Sequence, residues 1–294
     1  MLIPDALIPV YLRLTHANAP FMTAEGAEKE VHEQALRPVS HRPPANVRAG
    51  VRITVERDGG VPVYTVIPRA DLPLKHVIYA HGGGWVHEIS PQHWALIVQI
   101  AAEARAAVTV PIWTLLPYGD ATQALELMLH LHEKLQHTGR DVLIAGGSAG
   151  GQIALSAAQA IRDRGTENVR TILISPALDL TVSNPQIPSV LPKDPWLGVE
   201  GTRHLAERWR GAIPITDPRV SPLFGDMHGL GPMFLACGTH DILNPDAHLL
   251  LGRARASGVE VTFLERAGGL HVFPLLPTRT GRAARARIVE AIRS

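Results

Sequence analysis

The sequence predicts an α/β fold, a mostly parallel twisted sheet with helices on both faces. Three observations predict it. From about residue 76 onward, short apolar runs alternate with longer segments of helical periodicity, the pattern of βαβ units. Near the middle, Val142-Leu-Ile-Ala145 leads into Gly146-Gly-Ser-Ala-Gly150 and then Ile153 to Ile161, which reads as buried strand, tight glycine turn and helix. Before the alternation, two loosely period-two runs flank Asp58-Gly-Gly60, a hairpin signal that supplies an antiparallel edge.

Taken in order, residues 1–45 carry two helical candidates. Leu2, Ile3, Leu7, Ile8, Tyr11, Leu12 and Leu14 recur at roughly helical spacing, and Ala24 to Leu36 is more polar. The proline-rich stretch Arg37 to Pro44 is expected to be an extended linker. Val51 to Glu56 and Val61 to Ile67 form the hairpin, and His76 to Ala80 is the first strand of the alternating part. Ser90-Pro91 reads as an N-cap followed by proline at the first helical position, opening a helix that includes Trp94 to Ala104. A strand at Ala107 to Trp113, an amphipathic helix at Ala121 to Leu135 and the strand–turn–helix unit follow. The remaining strands are expected at Val169 to Ser175, Met233 to Cys237 and Val259 to Leu264, with helices at Pro245 to Ala256 and Ala283 to Ile292.

The alternation breaks between Leu180 and Gly231. This stretch is rich in proline, holds one helical segment at Gly201 to Trp209, and is too long for a loop and too apolar for a linker. An insertion folded over the carboxyl edge of the sheet fits it, and ligands of open α/β sheets bind at that edge. The expected division is an N-terminal cap segment at 1–45, a core at 46–180 and 216–294, and a cap insertion at 181–215.

Composition excludes several classes. A net charge of +1 with scattered basic residues gives no footprint for nucleic acid or an anionic membrane surface. No apolar run is long enough to span a bilayer, so no stable membrane insertion is expected. The start lacks a basic region and is broken by Pro4, Asp5 and Pro9, so no signal peptide and a cytoplasmic location are expected. The single cysteine, Cys237, lies in an apolar run and is expected to be a buried structural thiol. There is no HExxH and no Cys/His pair at ligand spacing, so no metal site is expected.

The chemistry-bearing residues fall at the ends of expected strands. A serine at the apex of a strand–glycine–helix turn is the pattern of a nucleophile elbow, in which small neighbours let strand and helix approach closely. Ser148 is therefore the candidate nucleophile. Its hydroxyl needs a base, and the base an orienting acid, on loops after later strands. Asp241 follows the strand ending at Cys237, and His271 follows the next one. Asp246 is the weaker acid because it lies inside the following helix, and His240 the weaker base because it is adjacent to Asp241. His81-Gly-Gly-Gly-Trp85 follows a strand and has no side chains to shield its amides, so Gly83 and Gly84 can present N–H groups to a developing oxyanion, with Ala149 at the helix start as a third donor.

With these residues placed, the sequence resembles the α/β-hydrolase fold and, within it, the hormone-sensitive-lipase-like esterases. The resemblance is carried by His81-Gly-Gly-Gly-Trp85, Gly146-Gly-Ser-Ala-Gly150, Asp241-Ile-Leu243 and His271-Val-Phe273, in family order. It implies hydrolysis of short- to medium-chain carboxylic esters of small molecules without a cofactor, with Ser148 as nucleophile, His271 as base, Asp241 as acid and Gly83, Gly84 and Ala149 as oxyanion donors. A lactone, amide or thioester hydrolase with the same triad, or a non-catalytic small-molecule-binding protein on this fold, are the alternatives, and a homodimer is possible. Trp85, Trp196, Leu197, Leu205 and Trp209 are candidates for the substrate pocket. Two departures stand out: Gly147 occupies the place of the family's usual aspartate, and Trp113-Thr-Leu-Leu-Pro-Tyr118 lacks the family's arginine and glutamate.

Overall fold

The computed structural model describes residues 2–46, 50–70, 72–165 and 168–294. Met1, part of the expected N-terminal segment, lies outside them. The strands are β1 (Val51–Asp58), β2 (Val61–Pro68), β3 (Lys75–Ala80), β4 (Ala106–Pro111), β5 (Val142–Gly147), β6 (Thr171–Ile174), β7 (Met233–His240) and β8 (Val261–Leu270). The helices are α1 (Ile8–Leu14), α2 (Ala19–Met22), α3 (Ala24–Leu36), α4 (Pro91–Ala104), α5 (Ala121–Gln136), α6 (Ala149–Asp163), α7 (Ile187–Val190), α8 (Val199–Trp209), α9 (Asn244–Ala256) and α10 (Arg279–Arg293).

The eight strands form one sheet in the order β1-β2-β4-β3-β5-β6-β7-β8. β1 and β2 are antiparallel, β2 meets β4 antiparallel, and every pair from β4 to β8 is parallel. Strand order reverses at β3: the chain steps outward to β4, then crosses to β5 on the other side. The crevice beyond the carboxyl ends of β3 and β5 is therefore a topological switch point, where such sheets bind ligands.

Successive strand residues face opposite layers, as the two-residue period requires. Ile78 and Ala80 of β3 belong to the apolar layer that also holds α5, α6 and α9, whereas Val77 and Tyr79 belong to the one that holds α4 and α10. α4 begins where expected: Ser90 Oγ accepts from His93 N, and Pro91 fills the first turn. β8 runs six residues beyond the expected end at Leu264. Its pairing with β7 is interrupted between Gly238 and His240 and resumes at His240 and Leu270. A side chain at Gly238 would overlap the backbone of Gly269, so the glycines permit the irregularity.

α2 and α3 lie against α8 of the insertion. Glu28 on α3 receives Arg208 and His204 from α8, and α8 approaches the α2 backbone so closely at Gly201 that a Cβ would collide with Phe21. Leu205, Ala206 and Trp209 then join Phe21, Ala27 and Val31 in one apolar layer. Among the described residues, no helix is long and apolar enough to cross a membrane.

Candidate active site

Ser148 sits between β5 and α6 at φ 55 and ψ −122, a left-handed conformation that costs a non-glycine residue energy and is held only by its surroundings. Those surroundings are specific. Its N–H donates to Ile174 C=O (2.9 Å), and its C=O accepts from Gly151 N (2.9 Å) and Ala177 N (3.1 Å). The turn closes this tightly because side chains at Gly146 or Gly150 would overlap backbone atoms of Gly150 or of Ala80 and His81, respectively.

The turn brings Ser148 Oγ to 2.9 Å from His271 Nε2. His271 Nδ1 lies 3.0 Å from Asp241 Oδ2, and Asp241 Oδ1 accepts from Leu243 N at 3.0 Å. Cys237 Sγ, buried as expected, lies 3.6 Å from Asp241 Oδ2. Asp241 is fully buried and His271 nearly so. Burial draws the His271 imidazole down, but the Asp241 carboxylate, through its charge and hydrogen bond, and the charge of Asp194 raise it further, so the net shift is upward. An imidazole so placed can take the serine proton and hold it beside a carboxylate.

The weaker sequence candidates lie elsewhere. Asp246 Oδ1 accepts from Asn184 Nδ2 at 2.7 Å, and burial pushes its carboxyl up to about 6. His240 ends the paired part of β7, opposite Leu270.

The turn after β3 completes the site. Gly83 (φ +129) and Gly84 (φ +60) adopt backbone conformations that side chains strain to reach. Among the described residues, none accepts a hydrogen bond from the N–H of Gly83, Gly84 or Ala149. Sequence reasoning missed what orients this turn. His93 Nε2 accepts from Gly82 N at 3.2 Å, and its Nδ1 lies 2.8 Å from Ser90 Oγ. Burial, with the neighbouring His81, pushes His93 down to about 3, so the ring stays neutral and its nitrogen remains an acceptor. His81 stacks flat on Trp113 (3.9 Å, 9°), and Leu116 N donates to Trp85 C=O at 2.9 Å. The loop that lacks the family's arginine and glutamate is thus braced by ring stacking and a backbone bond.

A cavity of about 920 Å³ opens at Ser148 and His271. Gly83, Gly84, Trp196, Leu197, Val272 and Leu275 line it. Helix α1 and the residues before it contribute Ile3, Leu7, Ile8, Tyr11 and Leu12, which the sequence marked as a helical face within the expected N-terminal cap segment. Three of the expected pocket residues are absent from that wall. Trp85, Leu205 and Trp209 are buried in the core, and both indole N–H groups donate to Gln152 Oε1, at 3.3 Å from Trp85 and 3.1 Å from Trp209. Their apolar bulk fills the joint between α6 and α8, so only Trp196 and Leu197 reach the cavity. Glu88 also lines it. Burial pushes this carboxyl up to about 7, and its Oε2 is closed off without a partner. Among the described residues, no group of three His, Cys, Asp or Glu could hold a metal ion.

Comparison with known proteins points the same way. Residues 77–275 match the family described as the alpha/beta hydrolase fold. LipR of Mycobacterium tuberculosis, a candidate acetyl-hydrolase, is 32% identical over 235 residues, covering 79% of this chain and 76% of LipR. A candidate esterase of Staphylococcus aureus superposes with a TM-score of 0.89 at 24% identity, over 97% of this chain and 99% of that one. An esterase from the bacterial hormone-sensitive lipase family gives a TM-score of 0.79 at 23% identity, over 92% and 97%. At those identities, the two structures speak for the fold alone.

Proposed function

We propose that this chain, which belongs to the alpha/beta hydrolase fold family and is an ester-hydrolysing enzyme, is a serine carboxylesterase for short- to medium-chain acyl esters. The observation that carries the reading is the continuous line Asp241–His271–Ser148, at 3.0 and 2.9 Å, opening into a largely apolar cavity.

In the proposed cycle His271 Nε2 takes the hydroxyl proton as Ser148 Oγ attacks the ester carbonyl. The carbonyl oxygen becomes an oxyanion, met by the N–H groups of Gly83, Gly84 and Ala149; one such donor is worth ~3 kcal/mol in the transition state. The imidazolium, stabilised by Asp241, returns the proton to the departing alcohol. Water activated by His271 then cleaves the acyl-serine, and Ser148 recovers its proton. The cavity, at about 920 Å³, is near the upper end of the ~300–1,000 Å³ typical of small-molecule sites, which leaves room for both arms of a medium-sized ester. Residues 1–45 and 181–215 act as the cap, and Trp196 and Leu197 as its contribution to the pocket.

The test is hydrolysis of p-nitrophenyl esters from acetate to dodecanoate by the wild type and Ser148→Ala. Turnover that peaks at short or medium chains and vanishes in the variant is expected. A folded wild type that turns over none of the series defeats the reading.

A further inference from the structure

Asp194 has no part in the cycle above, yet its side chain is tied into the machinery. It belongs to the insertion, 47 positions before Asp241 (241 − 194), and is partly buried. Its Oδ1 accepts from Trp196 N (2.8 Å) and Leu197 N (3.0 Å), and its Oδ2 from Ile242 N (2.9 Å). Ile242 directly follows Asp241, and the Trp196 ring stands edge-on to the His271 ring at 5.8 Å and 88°. One carboxylate therefore joins the insertion, the acid loop and the ring that borders the base.

We propose that Asp194 is a positioning residue for the hydrolytic relay: it clamps the insertion to the Asp241 loop and holds the Trp196 edge against His271, keeping the imidazole in line with Ser148. The proposal rests on the triad reading above. Its energetics follow from the contacts. Three backbone N–H donors on one carboxylate are charge-assisted hydrogen bonds, the stronger kind. Burial and the charge of Asp241 push Asp194 up to about 6, against the three backbone N–H donors that favour its ionised form; ionised, it adds a second negative charge near the imidazolium. Among the described residues, the groups facing His271 are Asp241 from the loop after β7, Asp194 and Trp196 from the insertion, and Ser148 from the β5–α6 turn. Cys237 lies behind Asp241. The charge of Asp194 acts on His271 in the same direction as that of Asp241. Removing it should therefore lower the pH at which the ring releases its proton.

Asp194→Asn tests this, with Asp194→Glu as the variant that keeps the charge. Two readouts are taken: kcat and KM on p-nitrophenyl butyrate, and the titration midpoint of the His271 ring by NMR. For Asn, kcat is expected to fall about tenfold, as for a misaligned base, with KM within about twofold. The His271 midpoint should move down from the wild-type value. Glu should hold the wild-type midpoint and recover most of kcat. An Asn variant with unchanged kcat, a fall in kcat without a midpoint shift, or a Glu variant whose midpoint is displaced downward overturns the proposal. Should Asn fail to fold, the Glu midpoint alone decides. The NMR arm needs no turnover, so a wild type inactive on esters would defeat the esterase reading while leaving this one to be judged by the midpoints.

Discussion

Two kinds of glycine meet in the β5–α6 turn, and alanine scanning should separate them by sign. At Gly147 the backbone lies outside the left-handed region, and an added Cβ would sit 3.5 Å from Ile174 O and 3.6 Å from Ile174 Cβ, ordinary contact distances. Gly147→Ala therefore restricts the unfolded chain without straining the folded one. It should raise stability by ~0.4–1 kcal/mol, about 1–3 °C in Tm for a chain of this size. At Gly146 the same atom would overlap the Gly150 carbonyl, and at Gly150 the carbonyls of Ala80 and His81. These are backbone atoms that cannot rotate away, so each substitution must displace a strand from its helix. Each should cost more than ~3 kcal/mol. Urea denaturation of the three variants beside the wild type measures all of this. A Gly147→Ala variant that loses more than about 1 kcal/mol, or a Gly150→Ala variant within about 0.5 kcal/mol of wild type, would refute the steric account.

Three further outcomes are expected. Gln152→Leu keeps the bulk but strands two buried indole N–H groups, Trp85 Nε1 and Trp209 Nε1. At ~1–3 kcal/mol each, chemical denaturation should register a loss of about 2–6 kcal/mol, and a loss below 1 contradicts the node. The kcat/KM profile should climb with pH as His271 gives up its proton, with a midpoint above the ordinary 6.5 because the net shift is upward; Asp241→Asn should lower kcat by ~10⁴ through the wrong tautomer, and a steady-state pH series on both proteins reads the two effects. Glu88, pushed up to about 7, should acquire its charge in the cavity above that pH. KM for uncharged esters should then rise at least about twofold between pH 6 and 9; Glu88→Gln should flatten the rise, and a KM independent of pH in the wild type is the opposing result.

The site and the fold became legible in the sequence to different depths. The α/β alternation, the hairpin edge and the βα turns follow from period and turn chemistry, which act over a few residues. Ser148, Asp241 and His271 could be grouped as candidates because each sits at the carboxyl end of a recognisable strand, and topology delivers such ends to one edge, where the three side chains meet. Trp85, Leu205 and Trp209 were misplaced because apolar bulk reads alike in a core and in a pocket wall; the buried Gln152 that draws both indoles inward carries no sequence signal. Asp194 was missed for the same reason, as one acidic residue in an irregular proline-rich stretch.

By itself, then, the sequence determined most of the elements, the turn that strains Ser148, and the chain order in which Ser148, Asp241 and His271 follow their strands, because local backbone preference and hydrophobic period are properties of neighbours along the chain. Only the tertiary structure decided which carboxylate reaches His271, how Asp194 ties the insertion to it, and that α1 walls the cavity. Those are contacts between residues far apart in sequence, set by how helices and strands pack after they form. No local pattern records which distant surface a side chain will meet.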